Sequence, residues 1–572
     1  MKILGIHDGH NACAALVING KVVAAVQEER LRQEKNWSGF PTRSVETVLN
    51  MAGLTADQID LLAYNGHHIP PAFTREEDLE ARQRNIGWYG WFLHAARRTP
   101  LMGLYRVNRR QHRLNAAAAI GIPHEKVCFT EHHMAHAAAA YYGWGKYDEP
   151  ILVLTADGAG DELSATVNVG MDGKLKRIAS VGRDHSLGTV YSTVTFMMGM
   201  VPLEHEYKLM GMAPYAEPKR AQAVADILFE YMPPPKDGSL TWQHRFLKPP
   251  APMLYPYLRK RLERHRFDSI AAGVQLYTEE MLLKWVQNAI EITGIRRLAL
   301  SGGVFMNVKA NKRIMELRQV IDLFVFPSCG DESNAMGAAF WQEAELGKTR
   351  HLPPIDAIYY GPDFDPAETR ATVERRSAKT GWTVQEFSDG EIDLAIADLV
   401  ADGEIVARAR GKMEFGARAL GNRSILADPT VPRVVDTINY MVKQRDFWMP
   451  FAPMILDSRA ADYLINPKNI PAPYMILSFD TPKTTRHEMI AAIHPYDQTA
   501  RPQILSQAHN PDMYRLLKRF EEKTGRGVIL NTSFNLHGLP IVGTPDAAID
   551  VFEQSGLPHL AVGNFLLSKQ EE

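Results

Sequence analysis

The chain has 572 residues, 45% hydrophobic and 23% charged, with 64 Lys+Arg against 66 Asp+Glu. At roughly 150 residues per domain, this length predicts two to four domains, each able to bury its own core. The composition excludes a disordered chain, a fibrous repeat and a generally basic nucleic-acid or membrane-surface protein, so any anion site must be a local basic cluster. Cys13, Cys128 and Cys329 are few, odd in number and far apart, which argues against a disulfide framework and for a reducing compartment. The opening MKILGIHDGH lacks a signal-peptide apolar region, and no run of roughly 18 apolar residues marks a membrane span. A cytoplasmic protein is expected.

Residues 2–30 read as three short strands, Ile3–Ile6, Ala14–Ile18 and Val22–Val26. Asn19-Gly20 is the hairpin between the last two, because both positions tolerate positive φ. His7 to Asn11 forms the polar turn after the first strand. The stretch 151–179 repeats the plan, with turns expected at Asp157-Gly158 and Asp172-Gly173. Two such units suggest a duplicated architecture, with two unrelated β-meanders as the alternative.

Pro41–Met51 and Asp268–Thr293 carry the apolar spacing of amphipathic helices. Two strand–glycine–helix units follow. Arg297–Leu300 leads into Ser301-Gly302-Gly303, and Leu323–Phe326 leads into Pro327–Asp331 and a helix over 332–346. Ligands sit at the carboxyl ends of such strands. Gly347 to Pro366, rich in Pro and Gly, reads as the main linker. A second α/β or α+β domain follows, with segments at Glu404–Ala409, Arg433–Lys443, Ala452–Ile455, Tyr474–Phe479, Asp512–Thr524 and Gly527–Leu530.

Residues 81–113 hold eight Arg (82, 84, 97, 98, 106, 109, 110 and 113) and no acid, with Trp88, Tyr89, Trp91 and Phe92 interleaved. A nucleic-acid or membrane surface is one reading. An inserted helical lid with inward aromatics and outward Arg suits the neutral chain better.

The sharpest cluster is the run from Thr130 to Ala140, TEHHMAHAAAA. His132 and His136 share one helix face, so both imidazoles can reach one ion, while His133 points elsewhere. Satisfied histidines are the alternative. Asp157 and Asp331 each end an expected strand beside glycines, where a plain turn residue is the alternative. Two His and two Asp would suit Fe2+, Mn2+ or Zn2+. The glycines of Ser301-Gly302-Gly303, Cys329-Gly330-Asp331 and 157–160, with Gly158, let backbone N–H groups approach phosphates. A third cluster, ARARGKMEFGARALGNRS over 407–424, is basic and is followed by Asn439, Lys443, Arg445 and Arg501. It suggests a small, strongly anionic ligand, with a solvated salt-bridged face as the alternative. Asn531-Thr532-Ser533-Phe534-Asn535 adds short polar groups.

The motifs HHMAHA, LSGGVFMN, PSCGDESNAMGAA, EFGARALGNRS, NYMVKQRDFWMPFAP and NTSFNLHGLPIV, collinear along nearly the whole chain, resemble those of the NodU/nebramycin-type O-carbamoyltransferase family. The resemblance implies an α/β protein of two domains. Residues 1–355 would form an actin-like (ASKHA, threonylcarbamoyl-transferase-like) duplicated domain that binds ATP and a metal. Residues 356–572 would form a YrdC-like α/β domain that binds carbamoyl phosphate. It implies His132, His136, Asp157 and Asp331 as metal ligands, iron above all, with Mg2+ accompanying ATP. Gly158, Gly302, Gly303 and Asn307 would hold the nucleotide. Arg418, Lys443, Arg445, Arg501 and Ser533 would hold carbamoyl phosphate, with Arg418 and Lys443 also acting in its chemistry. His10 would be the base beside the acceptor hydroxyl; the motif reads His10-Asn11 where the family pattern is His-Asp. The implied reaction passes through carbamoyl-adenylate to a small-molecule hydroxyl. No nucleic acid or membrane partner is expected, and the oligomeric state stays open, a homodimer among the options. The competing readings are an actin-like-fold metal-dependent phosphotransferase or hydrolase with a regulatory second domain, and a non-catalytic nucleotide-binding protein docking through 81–113.

Overall fold

Strands β1 (Lys2–His7), β2 (Cys13–Ile18), β3 (Lys21–Gln27), β4 (Leu61–Asn65) and β5 (Val127–Thr130) form one sheet in the order β3-β2-β1-β4-β5. Strands β6 (Ile151–Gly160), β7 (Leu163–Met171), β8 (Lys174–Gly182), β9 (Arg297–Ser301) and β10 (Asp322–Val325) form a second, in the order β10-β9-β6-β7-β8. The two orders are the same once matched from each sheet's first strand. In both, the first three strands run antiparallel and the last two join parallel to the first. This repeated order is the duplicated core of an actin-like fold. The computed structural model describes residues 1–67 and 101–570, with side chains from residue 107 onward in the helix Leu101–Ala119. Of the Arg/aromatic segment, Arg82, Arg84, Arg97, Arg98, Trp88, Tyr89, Trp91 and Phe92 lie outside the described residues, as does the side chain of Arg106.

The hairpin at Asn19-Gly20 forms with both residues at positive φ (50° and 80°). The turn expected at Asp157-Gly158 does not. β6 runs on to Gly160, and the chain reverses at Asp161 and Glu162, both at positive φ. Pairing with β7 is irregular between Ala156 and Gly160. The irregularity takes Asp157 out of the ladder without ending the strand.

The helices His132–Trp144 and Ser333–Leu346 occupy equivalent places in the two halves. Their contact is made by small residues. A Cβ on Gly337 would fall 1.9 Å from the Ala135 carbonyl oxygen, and one on Gly5 of β1 would fall 1.9 Å from that of Ala335. Ala135, Ala138, Ala139, Ala335, Ala338 and Ala339 are all buried. The Ala-rich sequence therefore sets how closely these helices pack, and their first residues stand at the site.

The described chain divides into two units, Met1–Glu28 with Asn36–Ile355, and Glu29–Lys35 with Asp356–Glu572. The short excursion at 29–35 breaks the continuous first domain that the sequence suggests. The second unit is built on β11 (Thr383–Glu386), β12 (Val406–Ala409), β13 (Arg423–Ala427), β14 (Ala452–Leu456), β15 (Gln503–Leu505), β16 (Val528–Ser533), β17 (His559–Val562) and β18 (Phe565–Ser568). They form one sheet in the order β11-β18-β17-β12-β13-β16-β14-β15. Alternate residues serve two cores. Ala407, Ile425 and Leu530 face one, with the helix Pro545–Gln554 over them. Val406, Leu426 and Ile529 face the other, beneath the helices Glu391–Ala401 and Pro511–Thr524. This is the period-2 pattern of a sheet covered on both faces.

Tyr474–Phe479, one of the segments of the second domain that the sequence marks out, is buried coil. Only Phe479 pairs, in an isolated bridge to Ala500. Pro471 and Pro473 precede it and Met475 takes φ 57°, so extension is broken while the apolar side chains still fill the core. The segment Arg433–Lys443 is α-helical only to Ile438. Asn439–Lys443 is a π turn, and Gln444 closes it at φ 44°.

Candidate functional site

In the first unit the carboxyl ends of β1, β4, β6 and β9 converge on the first turns of the His132 and Ser333 helices. His132 and His136 lie one helical turn apart on the same face. Asp157 comes from the irregular stretch of β6, and Asp331 from the loop after β10. His132 Nε2 stands 3.3 Å from Asp157 Oδ2 and 3.5 Å from Asp331 Oδ1, and His136 Nε2 is 3.3 Å from the same Asp331 oxygen. One ligand atom from each of the four falls within 4.8 Å of the others. With bonds of about 2.1 Å, neighbouring ligand atoms on one ion stand about 3.0–3.4 Å apart, so the quartet has the spacing of a coordination shell. Asp331 Oδ1 is buried without a hydrogen-bond partner, an orphan that a cation would satisfy. The donor set and its geometry fit a divalent metal.

Close contacts fix these side chains. A Cβ on Gly160 would fall 2.0 Å from the His132 ring. The Asp161 carboxylate accepts from the His132 backbone N–H (2.9 Å), and Asp157 Oδ1 accepts from the Gly303 N–H (3.0 Å). Asn334 Nδ2 lies 3.0 Å from His136 Nε2. His133 turns away, with Nδ1 2.9 Å from Thr155 Oγ1. Burial alone would lower the His132 imidazolium, but Asp331 and Asp157 outweigh it and lift it to about 9. Burial and Asp331 push Asp157 up, yet His132 and His136 outweigh them and hold it at about 2.

His10 reaches the same cluster, with Nε2 3.6 Å from Asp331 Oδ2, and is one-third exposed. Asn11 sits at φ 59°, a conformation that both Asn and Asp accept, so the departure from His-Asp leaves the turn intact. His7 and Asn65 complete the wall. Asn65 Nδ2 donates to His7 Nδ1 (3.0 Å), and His7 Nε2 donates to the His10 carbonyl (3.0 Å). Burial drives His7 down to about 4, so it is neutral in these roles.

The glycine turns lie alongside. Gly302 has φ 106°, and a Cβ there would strike the Ala156 carbonyl oxygen at 2.2 Å. Gly303 covers Asp157, and Gly158 has open space where a Cβ would go. Asn307 instead caps the helix Val308–Glu316 and exchanges two amide hydrogen bonds with Gln275 (2.9 and 3.0 Å).

In the second unit, Lys443 is 2% exposed and donates to the Ser533 and Asn535 carbonyls, to Ser533 Oγ (3.1 Å) and to Asn535 Oδ1 (2.7 Å). All these partners are neutral oxygens. Burial, then Arg445 and Lys35, hold its pKa well below the usual lysine value. Arg418 precedes β13, Arg501 precedes β15, Arg445 precedes β14, and Ser533 ends β16. The registers bring these four positions to one end of the sheet. Asn531 Nδ2 donates to the Ala419 carbonyl (3.1 Å) and Gln503 Nε2 to the Leu420 carbonyl (3.1 Å), joining the Arg418 loop to the strands beside it. Arg408 and Arg410 of the same basic run are bound by Asp393 and Asp512, so they brace the fold.

Residues 2–340 match the Carbamoyltransferase N-terminus family and residues 397–569 the Carbamoyltransferase C-terminus family. The chain belongs to the carbamoyltransferase family. This carbamoyltransferase is 31% identical to Nodulation protein NolNO of Sinorhizobium fredii over 98% of its own length and 79% of that protein. It is also 31% identical to an uncharacterized protein of Synechocystis, over 98% of this chain and 95% of the other. Nodulation protein U of Sinorhizobium fredii matches at 30% identity over 47% of the carbamoyltransferase and 46% of the relative. Among solved structures, component A of the Acidaminococcus fermentans (R)-2-hydroxyglutaryl-CoA dehydratase aligns with a TM-score of 0.33 at 13% identity, covering 60% of the carbamoyltransferase and 97% of that chain. Full-length HypF aligns at 0.32 and 14%, covering 59% and 54%. No helix among the described residues is long and apolar enough to cross a membrane.

His7, Asn65 and Asn334 border the quartet and were not singled out by sequence. His7 and Asn334 lie inside motifs that do stand out, HDGH and GDESN, whereas Asn65 carries no sequence signal.

Proposed function

We propose that this carbamoyltransferase is ATP-dependent and moves the carbamoyl group of carbamoyl phosphate, by way of carbamoyl-adenylate, to a hydroxyl of a small molecule. The observation that carries the reading is the His132–His136–Asp157–Asp331 quartet with His10 against it, beside glycine turns at strand ends. In the second unit, which we take to be YrdC-like, Lys443 is a buried amine facing neutral oxygens, and its protonated form suits an anion. Arg418, Arg445, Arg501 and Ser533 would complete that anion site, and hydrolysis there gives carbamate and phosphate.

In the first unit, Gly158, Gly302 and Gly303 bare their backbones to a triphosphate, and Asn307 holds the helix beside them. A carbamate oxygen attacks the α-phosphorus of ATP and pyrophosphate leaves. The acceptor oxygen then bonds to the carbamoyl carbon as the bond to AMP breaks, and His10 takes the hydroxyl proton. His132, His136, Asp157 and Asp331 would hold the metal, which supplies charge neutralisation for phosphate oxygens. Two imidazoles with two carboxylates favour Fe2+, with Mn2+ or Zn2+ as the other candidates, and Mg2+ accompanies ATP.

The test is incubation with ATP, carbamoyl phosphate and a panel of hydroxyl compounds. Pyrophosphate, AMP and a carbamate ester are expected. Formation of ADP in place of AMP would move the protein to the phosphotransferase reading.

A further inference from the structure

Arg113, in the helix Leu101–Ala119, is 2% exposed and makes four hydrogen bonds. Nε and Nη2 grip the two oxygens of Asp8 at 2.8 and 2.6 Å. Nη2 also donates to the Asn65 carbonyl (3.0 Å), and Nη1 to the Gly66 carbonyl (2.5 Å). The guanidinium lies 5.0 Å from the centre of the Tyr64 ring, and the Tyr64 hydroxyl donates back to the Arg113 carbonyl (3.1 Å).

Each partner leads to the reacting centre. Asp8 is two residues before His10 and opens the turn that carries it. Asn65 touches His7 Nδ1 and, at 3.5 Å, His132 Nδ1. β1 and β4 are parallel neighbours, so their carboxyl ends lie side by side, and one guanidinium ties both. It also neutralises Asp8, a carboxylate only 7% exposed that would otherwise be buried without a charge partner. A bidentate fork held by two further carbonyls fixes an angle as well as a distance, which a lysine cannot do.

We infer that Arg113 is a positioning residue for the transfer half of the reaction: through Asp8 it holds the His10 turn so that the imidazole faces the attacking hydroxyl. The inference rests on the carbamoyl-transfer reading above. In that half-reaction the hydroxyl oxygen bonds to the carbamoyl carbon, AMP leaves, and the proton passes to His10. A small misplacement of a proton acceptor costs such a step heavily.

The experiment compares wild type with Arg113→Lys, Arg113→Ala and Asp8→Asn, using thermal unfolding and bound metal as controls for folding. Carbamoyl-phosphate-dependent ATP–pyrophosphate exchange reads the first half. Transfer is read with the hydroxyl compound that wild type uses best. Reaction of His10 with diethyl pyrocarbonate, mapped by mass spectrometry against exposed His124, reads the turn without reference to the reaction. Arg113→Lys should lower kcat for transfer by about tenfold or more while exchange stays near wild type. His10 should react several-fold differently in both Arg113 variants. Unaltered His10 reactivity and transfer in Arg113→Ala would overturn the inference, as would equal loss of exchange and transfer at full metal content. A wild type that supports no exchange would overturn the functional reading alone; the His10 reactivity would still decide the role of Arg113.

Discussion

Gly160 lies beneath the His132 imidazole so closely that a Cβ would stand 2.0 Å from the ring. This histidine of the quartet therefore owes its position partly to a missing side chain on a neighbouring strand. Gly160→Ala should displace His132, costing about 1–3 kcal/mol of stability and weakening metal binding by about tenfold or more. Gly158→Ala, where a Cβ meets open space, should keep both. Metal content and thermal unfolding of the two variants check this.

The two sites should separate. His136→Ala removes a ligand from the quartet, so it should lose bound metal and pyrophosphate exchange yet still bind carbamoyl phosphate. Lys443→Met should do the reverse, retaining metal and losing carbamoyl phosphate binding. Calorimetry with carbamoyl phosphate and metal analysis on both variants give the comparison. Loss of both properties in either folded variant would contradict a two-site enzyme.

Lys443 gives a pH signature. Its native pKa is lowered by burial, then by Arg445 and Lys35. Between that lowered value and the ordinary lysine range, the unfolded chain binds more protons than the native one. The ligand-free protein should therefore gain stability as pH rises through that window. A phosphate-bearing ligand favours the ammonium, so binding in the window should take up a proton. Calorimetry in two buffers of different ionisation enthalpy should show this uptake for wild type, and a binding heat independent of the buffer would contradict it.

Gly302 combines a φ of 106° with a backbone carbonyl 2.2 Å from where a Cβ would sit. Gly302→Ala should cost about 2–4 kcal/mol and raise the KM for ATP more than that for carbamoyl phosphate. Equal KM changes would detach this loop from the nucleotide.

Sequence patterns made the quartet legible because local rules place its members. His132 and His136 follow from helical spacing, and Asp157 and Asp331 from strand ends beside glycine. Asp157 shows the limit: Asp-Gly looks like a turn, but the strand bulges and continues. The Arg113–Asp8 pair spans 105 residues, and neither partner has a local pattern that announces the other. The basic run over 407–424 mixes roles that only packing separates, since Arg408 and Arg410 are ion-paired to Asp393 and Asp512 while Arg418 lies on the loop at the sheet end. Lys443 looks helical in sequence, and the π turn that carries it has no compositional mark. Tyr474–Phe479 has the apolar character of a strand because coil in a core must also be apolar.

The most direct measurement is ATP–pyrophosphate exchange on the metal-loaded enzyme, with and without carbamoyl phosphate. Exchange that requires carbamoyl phosphate and disappears in Asp331→Asn is the predicted result. Exchange that is absent with both substrates present, or that is unaffected by removing the Asp331 carboxylate, would contradict adenylate chemistry at the histidine–aspartate cluster.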